Sequence, residues 1–280
     1  KKLQSVLINI LLLCSGALLF AFSNPGFIFS EGIAFLAWFA YIPVFILVKR
    51  ASFKTVWLYG FFYGVISYML YVSWLVIFTP VGSIAIEAQY GVMLMLAFIL
   101  MKAGLSLFPK RGYLAAFLVW MAYEYLKTTG FAGFCYGVTA YTQWQNLLLM
   151  QCSDIAGVWP LSALVVFPSA WISIVLIDLK NECKKTGRFS TGSAAAAVLP
   201  HKISGIIWIC CFAFTVLYGC FARKDYSAYP EVPVAAIQHN TDPWVGGITS
   251  YTSDVHDLIR LSKEAQKQQP QTKLIVWPET

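Results

Sequence analysis

The chain has 280 residues, of which 59% are hydrophobic, 16% aromatic and only 12% charged. Soluble domains carry about twice that share of charge, so a single water-soluble globule is excluded, and so is disorder, which needs low hydrophobicity and dense charge. The net charge of +7 is spread too thinly to mark a nucleic-acid partner, which leaves a polytopic membrane protein as the class to test.

Seven apolar runs follow in chain order, at 3–20, 32–48, 55–79, 88–108, 112–127, 160–177 and 203–222. Each approaches the roughly 20 residues that a helix needs to cross about 30 Å of hydrocarbon, and helices are expected because lipid offers the backbone no partners. The first run also has the parts of a secretory signal, with Lys1-Lys2 ahead of it and Ala21-Phe22-Ser23 as a cleavage site. Its length and the six runs after it favour a span.

Charge placement sets the orientation. Lys1, Lys2, Lys49, Arg50, Lys54, Lys110, Arg111, Lys180, Lys184, Lys185, Arg188 and Lys202 fall at one set of ends, whereas the opposite loops 21–31 and 80–87 hold no Lys or Arg. The positive-inside rule then puts the N-terminus in the cytoplasm. Seven crossings carry residues 223–280 to the extracytoplasmic side, with only Arg223 and Lys224 counting against it. Lys102 is expected to snorkel from within its helix.

Between the runs, Gly60-Phe61-Phe62-Tyr63-Gly64 fits a small-xxx-small packing face. Residues 180–202 read as a polar cytoplasmic linker with a low-complexity alanine run at 194–197. The outward loop 128–159 has no Lys or Arg and is rich in Gly and aromatics. It is read either as packed on the helix ends or as an interfacial segment touching lipid. Just before it, Glu124 and Lys127 share one helix face at i, i+3. They form either a functional intramembrane ion pair or a structural clamp. Of the seven cysteines, only Cys135 and Cys152 face outward together, and pairing between them stays open. No spacing marks a metal site, and no cofactor is implied.

After Tyr226 the composition changes. A β-rich run at 232–237, an amphipathic helix at 253–268 capped by Ser253, and a second strand at 273–277 make a βαβ unit. Sites in such sheets gather beyond the carboxyl ends of the strands, where Gln238-His239-Asn240 and Glu279 stand. The expected organisation is a transmembrane domain at 1–225 followed by an extracytoplasmic domain that begins at 226–280.

The stretch from Val234 through Gln238-x-Asn240 and Trp244 to Trp277-Pro278-Glu279 resembles the opening of a nitrilase-type (carbon–nitrogen hydrolase) domain. A multi-span domain ahead of it narrows the resemblance to the apolipoprotein N-acyltransferase family. Ala21-Phe22-Ser23-Asn24-Pro25, Trp74, and Glu124-Tyr125-Leu126-Lys127-Thr128-Thr129-Gly130-Phe131 running on to Gly137 and Tyr141-Thr142-Gln143 are similar to it too. The family usually has Trp and Arg where this chain has Tyr125 and Lys127. The implied fold class is a polytopic α-helical membrane domain of about seven spans followed by the first βαβ of an α/β nitrilase-type sandwich, truncated.

The resemblance implies an acyltransferase that takes an acyl chain from a phospholipid as a Cys thioester and passes it to the N-terminal amine of a diacylglyceryl-Cys apolipoprotein. Its partners would be that lipid donor, that lipoprotein acceptor and the lipid of a bacterial inner membrane. Glu279 would be the general base, with Trp244, Gln238, Asn240, Glu124 and Lys127 as substrate-binding residues. Read without the resemblance, Glu279 is a solvated surface acid. The tail 226–280 has no cysteine, so the Lys and Cys of the family's site, and a closing span, are expected beyond Thr280. A non-enzymatic membrane scaffold or transporter fragment and a nitrilase-like amide hydrolase are the competing classes.

Overall fold

The computed structural model describes residues 2–26, 28–130, 133–241 and 247–278, in two compact units, Lys1–Arg223 and Lys224–Thr280. Trp244, Phe131 and Glu279 lie outside the described residues.

The first unit is all helical. Helix α1 (Lys2–Ser23) is followed by a 3-10 turn at Ala34–Trp38, then α2 (Ile42–Arg50), α3 (Val56–Tyr71), α4 (Leu75–Phe78), α5 (Pro80–Leu107) and α6 (Gly112–Leu126). A second 3-10 turn at Thr139–Gln143 and short helices α7 (Leu147–Met150) and α8 (Ser153–Ala156) lead into α9 (Trp159–Thr186). Helix α10 (Thr191–Val198), a 3-10 turn at Leu199–His201 and α11 (Lys202–Ala222) close the unit.

Among the described residues, four stretches are helical, long and apolar enough to cross a bilayer: Lys2–Ser23, Pro80–Leu107, Trp159–Thr186 and Thr191–Ala222. The other three expected spans are shorter or broken. Run 32–48 is a 3-10 turn plus the nine residues of α2, about 14 Å of helix. Run 55–79 breaks after the 16 residues of α3, and α6 has 15. Apolar content alone does not report where a helix breaks.

Two expected loops are helical instead. Residues 80–87 belong to α5, because the Thr79 side chain accepts from Gly82 N at 3.1 Å and Pro80 supplies the first-turn φ. Much of 180–202 is helical too. Helix α9 runs on to Thr186 and stops at Gly187, whose φ of 73° is left-handed. The alanine run then forms α10, since Ala is the best helix former and Ser190 and Ser193 make a reciprocal capping box.

The core is built on close backbone approach. A Cβ at Gly60 would sit 2.6 Å from the Leu94 carbonyl oxygen, and one at Gly64 would sit 2.5 Å from that of Tyr90. The glycine face of α3 therefore lies against the α5 backbone, the small-xxx-small packing its spacing implied. Around it Leu13, Ala17, Val44, Tyr63, Leu94, Phe98 and Trp120 form one buried cluster. Lys102 is half-buried and donates to the Lys49 carbonyl, at the end of α2, at 2.8 Å.

Pro168 sits inside α9, where it deletes the hydrogen bond that residue 168 would give the Leu164 carbonyl. The Trp208 indole N–H of α11 takes that carbonyl at 2.8 Å. Further polar ties hold α11: Tyr113 to Ser204 at 2.6 Å and Trp171 Nε1 to the His201 carbonyl at 3.0 Å. Only Thr215 and Gly219 of α11 are buried, while Trp208, Phe212, Val216 and Tyr218 pack against a second buried cluster.

In the second unit, β1 (Val234–Ala236) and β2 (Leu274–Val276) pair in parallel, with Val234 opposite Leu274 and Ala236 opposite Val276. Helix α12 (Gly247–Gln268) connects them. It starts six residues before Ser253, whose hydroxyl donates back to the Ser250 carbonyl at 2.7 Å instead of capping. Trp277 Nε1 donates to the buried Ser262 Oγ at 2.8 Å and so ties β2 to α12.

Gly64→Ala is expected to lower stability by about 1–3 kcal/mol, because its methyl group meets backbone that cannot rotate away. Gly192→Ala in α10, where a Cβ has only Ser190 Oγ at 3.7 Å, is expected to be neutral or stabilising. Thermal melts of the two variants in detergent give the comparison.

Candidate functional site

Helix α6 ends by burying two opposite charges. Glu124 is 1% and Lys127 2% exposed, a costly arrangement unless every charge finds a partner. Among the described residues no ion pair within 4 Å joins them; each binds the chain that follows α6. Glu124 Oε1 accepts a short hydrogen bond from Thr139 Oγ1, and Oε2 accepts from Thr139 N at 3.3 Å. Lys127 Nζ donates to the Gly137 carbonyl at 2.6 Å and to Tyr68 Oη at 3.2 Å. It also stands 5.4 Å from the Tyr123 ring centre and 6.0 Å from that of Tyr68, within reach of a cation–π attraction. The clamp alternative thus describes the pair, with the backbone at 137–139 held between the two charges.

A tyrosine cage surrounds the clamp. Tyr41 Oη lies 2.6 Å from Thr139 Oγ1, and Gly137 N donates to Tyr71 Oη at 3.3 Å. Tyr90 donates to the Phe134 carbonyl at 2.8 Å, and its ring stacks on Tyr68 at a 3.5 Å centroid distance and an angle of 2°. Gly137 has a φ of 73°, and a Cβ there would lie 2.8 Å from the Phe20 ring. The glycine lets the chain turn between α1 and α3 at this point.

The loop 128–159 is therefore packed where it follows the clamp. Val138, Thr139, Ala140, Thr142 and Gln143 are all buried. Gln143 Nε2 donates to the Ala34 carbonyl at 2.9 Å and Gln145 Nε2 to Glu31 Oε2 at 2.9 Å, which docks the segment on the chain after α1. Its outer aromatics, Tyr136, Tyr141 and Trp144, stay exposed at 45%, 39% and 46%. Tyr136 lies against Trp74, with ring centres 5.6 Å apart.

Cys135 and Cys152 are both free thiols. Cys152 is buried and donates to the Leu149 carbonyl. Burial, with Asp154 near, pushes its thiol above the ordinary range, the opposite of what activates a nucleophile. Among the described residues no cluster of His, Cys, Asp and Glu is arranged to hold a metal ion.

In the second unit, Gln238 and Asn240 are exposed beyond the carboxyl end of β1, and Asn240 takes a φ of 57°, a left-handed conformation that Asn tolerates. Neighbouring His239 lines a cavity of about 90 Å³ with Thr241, Tyr251, Asp254, Val255, Leu258 and Pro278. Thus Glu124 and Lys127 share one site in the first unit, while Gln238 and Asn240 belong to the second. The tyrosine cage was not foreseen from the sequence. Its signal was the excess of Tyr in an apolar segment, each phenol needing a polar partner.

Residues 15–171 match the family described as the apolipoprotein N-acyltransferase N-terminal domain. The chain belongs to the apolipoprotein N-acyltransferase family. The matched stretch contains Glu124, Lys127 and their partners Tyr41, Tyr68, Gly137 and Thr139. Apolipoprotein N-acyltransferase 1 of Treponema denticola is 35% identical over 273 residues, 98% of this chain and 48% of the relative. The protein of the same name in Treponema pallidum is 39% identical, over 94% of this chain and 47% of the relative. Apolipoprotein N-acyltransferase of Geobacter metallireducens is 29% identical, over 95% and 50%. The chain spans about half the length of the curated relatives it matches.

Lys127→Met is expected to cost about 1–3 kcal/mol, since it leaves the buried Gly137 carbonyl unpaired. Chymotrypsin, which cuts after aromatic residues, should then cleave within 134–144 sooner than in the parent protein, as followed by mass spectrometry of the fragments.

Proposed function

We propose that the whole protein transfers an acyl chain from a phospholipid, through a Cys thioester, to the α-amino group of a lipid-modified N-terminal Cys in an apolipoprotein. The observation that carries this reading is the family match over residues 15–171, and the names of the relatives support it. Gln238–Asn240 follow β1 and Glu279 follows β2, two parallel strands, and beyond such carboxyl ends substrates collect.

In this reading residues 1–225 cross a bacterial inner membrane about seven times from a cytoplasmic N-terminus. Residues 226–280 begin an extracytoplasmic catalytic domain, part of an extracytoplasmic segment 223–280. The four long apolar helices support a membrane location, and the basic residues at alternate ends support the orientation. Both substrates are amphiphiles of the outer face of that membrane.

Glu279 is the general base. A thiol with an ordinary pKa near 8.5 offers little thiolate at neutral pH, so Glu279 takes its proton as the sulfur attacks the lipid ester carbonyl. The thioester forms, and the proton passes to the departing lysophospholipid oxygen. The acceptor amine then attacks the thioester, its proton goes to Glu279, and the thiol is restored. The Cys and an accompanying Lys are assigned to residues of the whole protein outside these 280. Gln238, Asn240 and Trp244 are assigned to substrate contact. Glu124 and Lys127, whose charges are bonded inward, are assigned to positioning the loop at 133–143.

The test uses the whole protein in membranes with phosphatidylethanolamine labelled in its acyl chain and a diacylglyceryl-Cys peptide. The expected result is a hydroxylamine-sensitive label on the protein and an acylated peptide, with Glu279→Gln slowing transfer by about 10²–10⁴-fold. The 280-residue chain alone is expected to take no label. Labelled free acid without acyl-peptide would point to an amide-hydrolase-like reaction, and an unlabelled whole protein to a scaffold.

A further inference from the structure

Beside the clamp lies a cavity of about 10 Å³, walled by Tyr63, Ser67, Trp120, Glu124 and Lys127 among others. Three polar atoms of its wall, Tyr63 Oη, Ser67 Oγ and Trp120 Nε1, are buried and make no hydrogen bond of normal geometry among the described residues, the Ser67 hydroxyl standing near that of Tyr63. They come from two helices: Tyr63 and Ser67 stand one turn apart on α3, and Trp120 one turn before Glu124 on α6. The large majority of buried side-chain polar atoms are paired, so three such atoms around one small cavity call for a common partner.

Size selects that partner. A water molecule needs about 10–15 Å³ of such space and two to four polar neighbours, whereas a phosphate or acyl group needs far more room and a cation cannot accept from the Trp120 indole. Donor and acceptor counting agrees. The Trp120 indole only donates, and the Tyr63 hydroxyl donates along with it, which fills both acceptor sites of a water. Its two protons then need acceptors. Ser67 Oγ is one. The Glu124 carboxyl group is the other, because Thr139 N and Oγ1 engage its oxygens without exhausting their lone pairs.

We propose that one internal water molecule is a constant ligand of this cavity, accepting from Trp120 and Tyr63 and donating to Ser67 and Glu124. It ties α3 to α6 beside the clamp and gives the buried carboxyl group a solvent molecule of its own. This holds whatever reaction the whole protein performs.

Two conservative variants of the whole protein test it, Tyr63→Phe and Ser67→Ala, each deleting one oxygen. With water bound, each is expected to lower the apparent melting temperature in detergent by about 2–4 °C, because it strips a partner from a buried network. The double variant should fall by less than the sum, since the first deletion already loosens the shared ligand. An unchanged or raised melting temperature in either single variant would overturn the proposal, as deleting an unpaired buried oxygen relieves a desolvation penalty. So would strictly additive losses. High-resolution density of the whole protein is the second measurement. A peak within hydrogen-bond distance of Tyr63 Oη, Ser67 Oγ and Trp120 Nε1 is expected, and its absence refutes the site.

Discussion

Two charges that have nowhere to go but inward organise the first unit. Glu124 and Lys127 end α6 with almost no exposed surface, out of reach of bulk solvent. Their partners must come from the chain, and the chain that can reach them is the segment that leaves α6. Residues 137–139 fold back so that one carbonyl meets the ammonium and one amide with its hydroxyl meets the carboxyl group. A direct ion pair would have satisfied only the charges. The clamp also satisfies loop backbone that would otherwise be buried without partners.

The same rule explains the other features of this unit. Pro168 frees a carbonyl in α9, and Trp208 supplies the missing donor from α11. Ser173 donates to the carbonyls of Ile42 and Ser169. Gly60 and Gly64 let α3 approach α5 so closely that Tyr68 stacks on Tyr90 and both reach the loop. In water, hydrophobic burial would drive such packing; in lipid it has to come from close contact and polar pairing. Small residues and single well-aimed hydrogen bonds are what the sequence provides.

How far this was legible depended on the kind of signal. The apolar runs marked the long helices, and the spacing of Gly60 and Gly64 marked a packing face, since both are periodic. Helix limits depended on single residues: Thr79 and Pro80 extend α5, Ser190 caps α10, and Ser253 sits inside a helix it was expected to start. The separation at i, i+3 placed Glu124 and Lys127 on one face, yet it could not tell an ion pair from a clamp. That choice was made by residues ten to fifteen positions further on. Gly137 can adopt the left-handed turn and Thr139 carries both a donor N–H and a hydroxyl, but neither property announces its target.

The two candidate regions differ in how complete their chemistry is. In the first unit the buried charges are bonded to backbone and ringed by phenols, so they hold a shape, and Cys152 is buried with its thiol protonated more firmly than usual. In the second, Gln238 and Asn240 remain exposed beyond β1 of a two-stranded sheet that has α12 but no second sheet beside it among the described residues. A parallel pair of three-residue strands does not bury both faces by itself. The physical contrast is one of direction: the charges of the helical unit are bonded inward, whereas Gln238 and Asn240 of the second unit face outward.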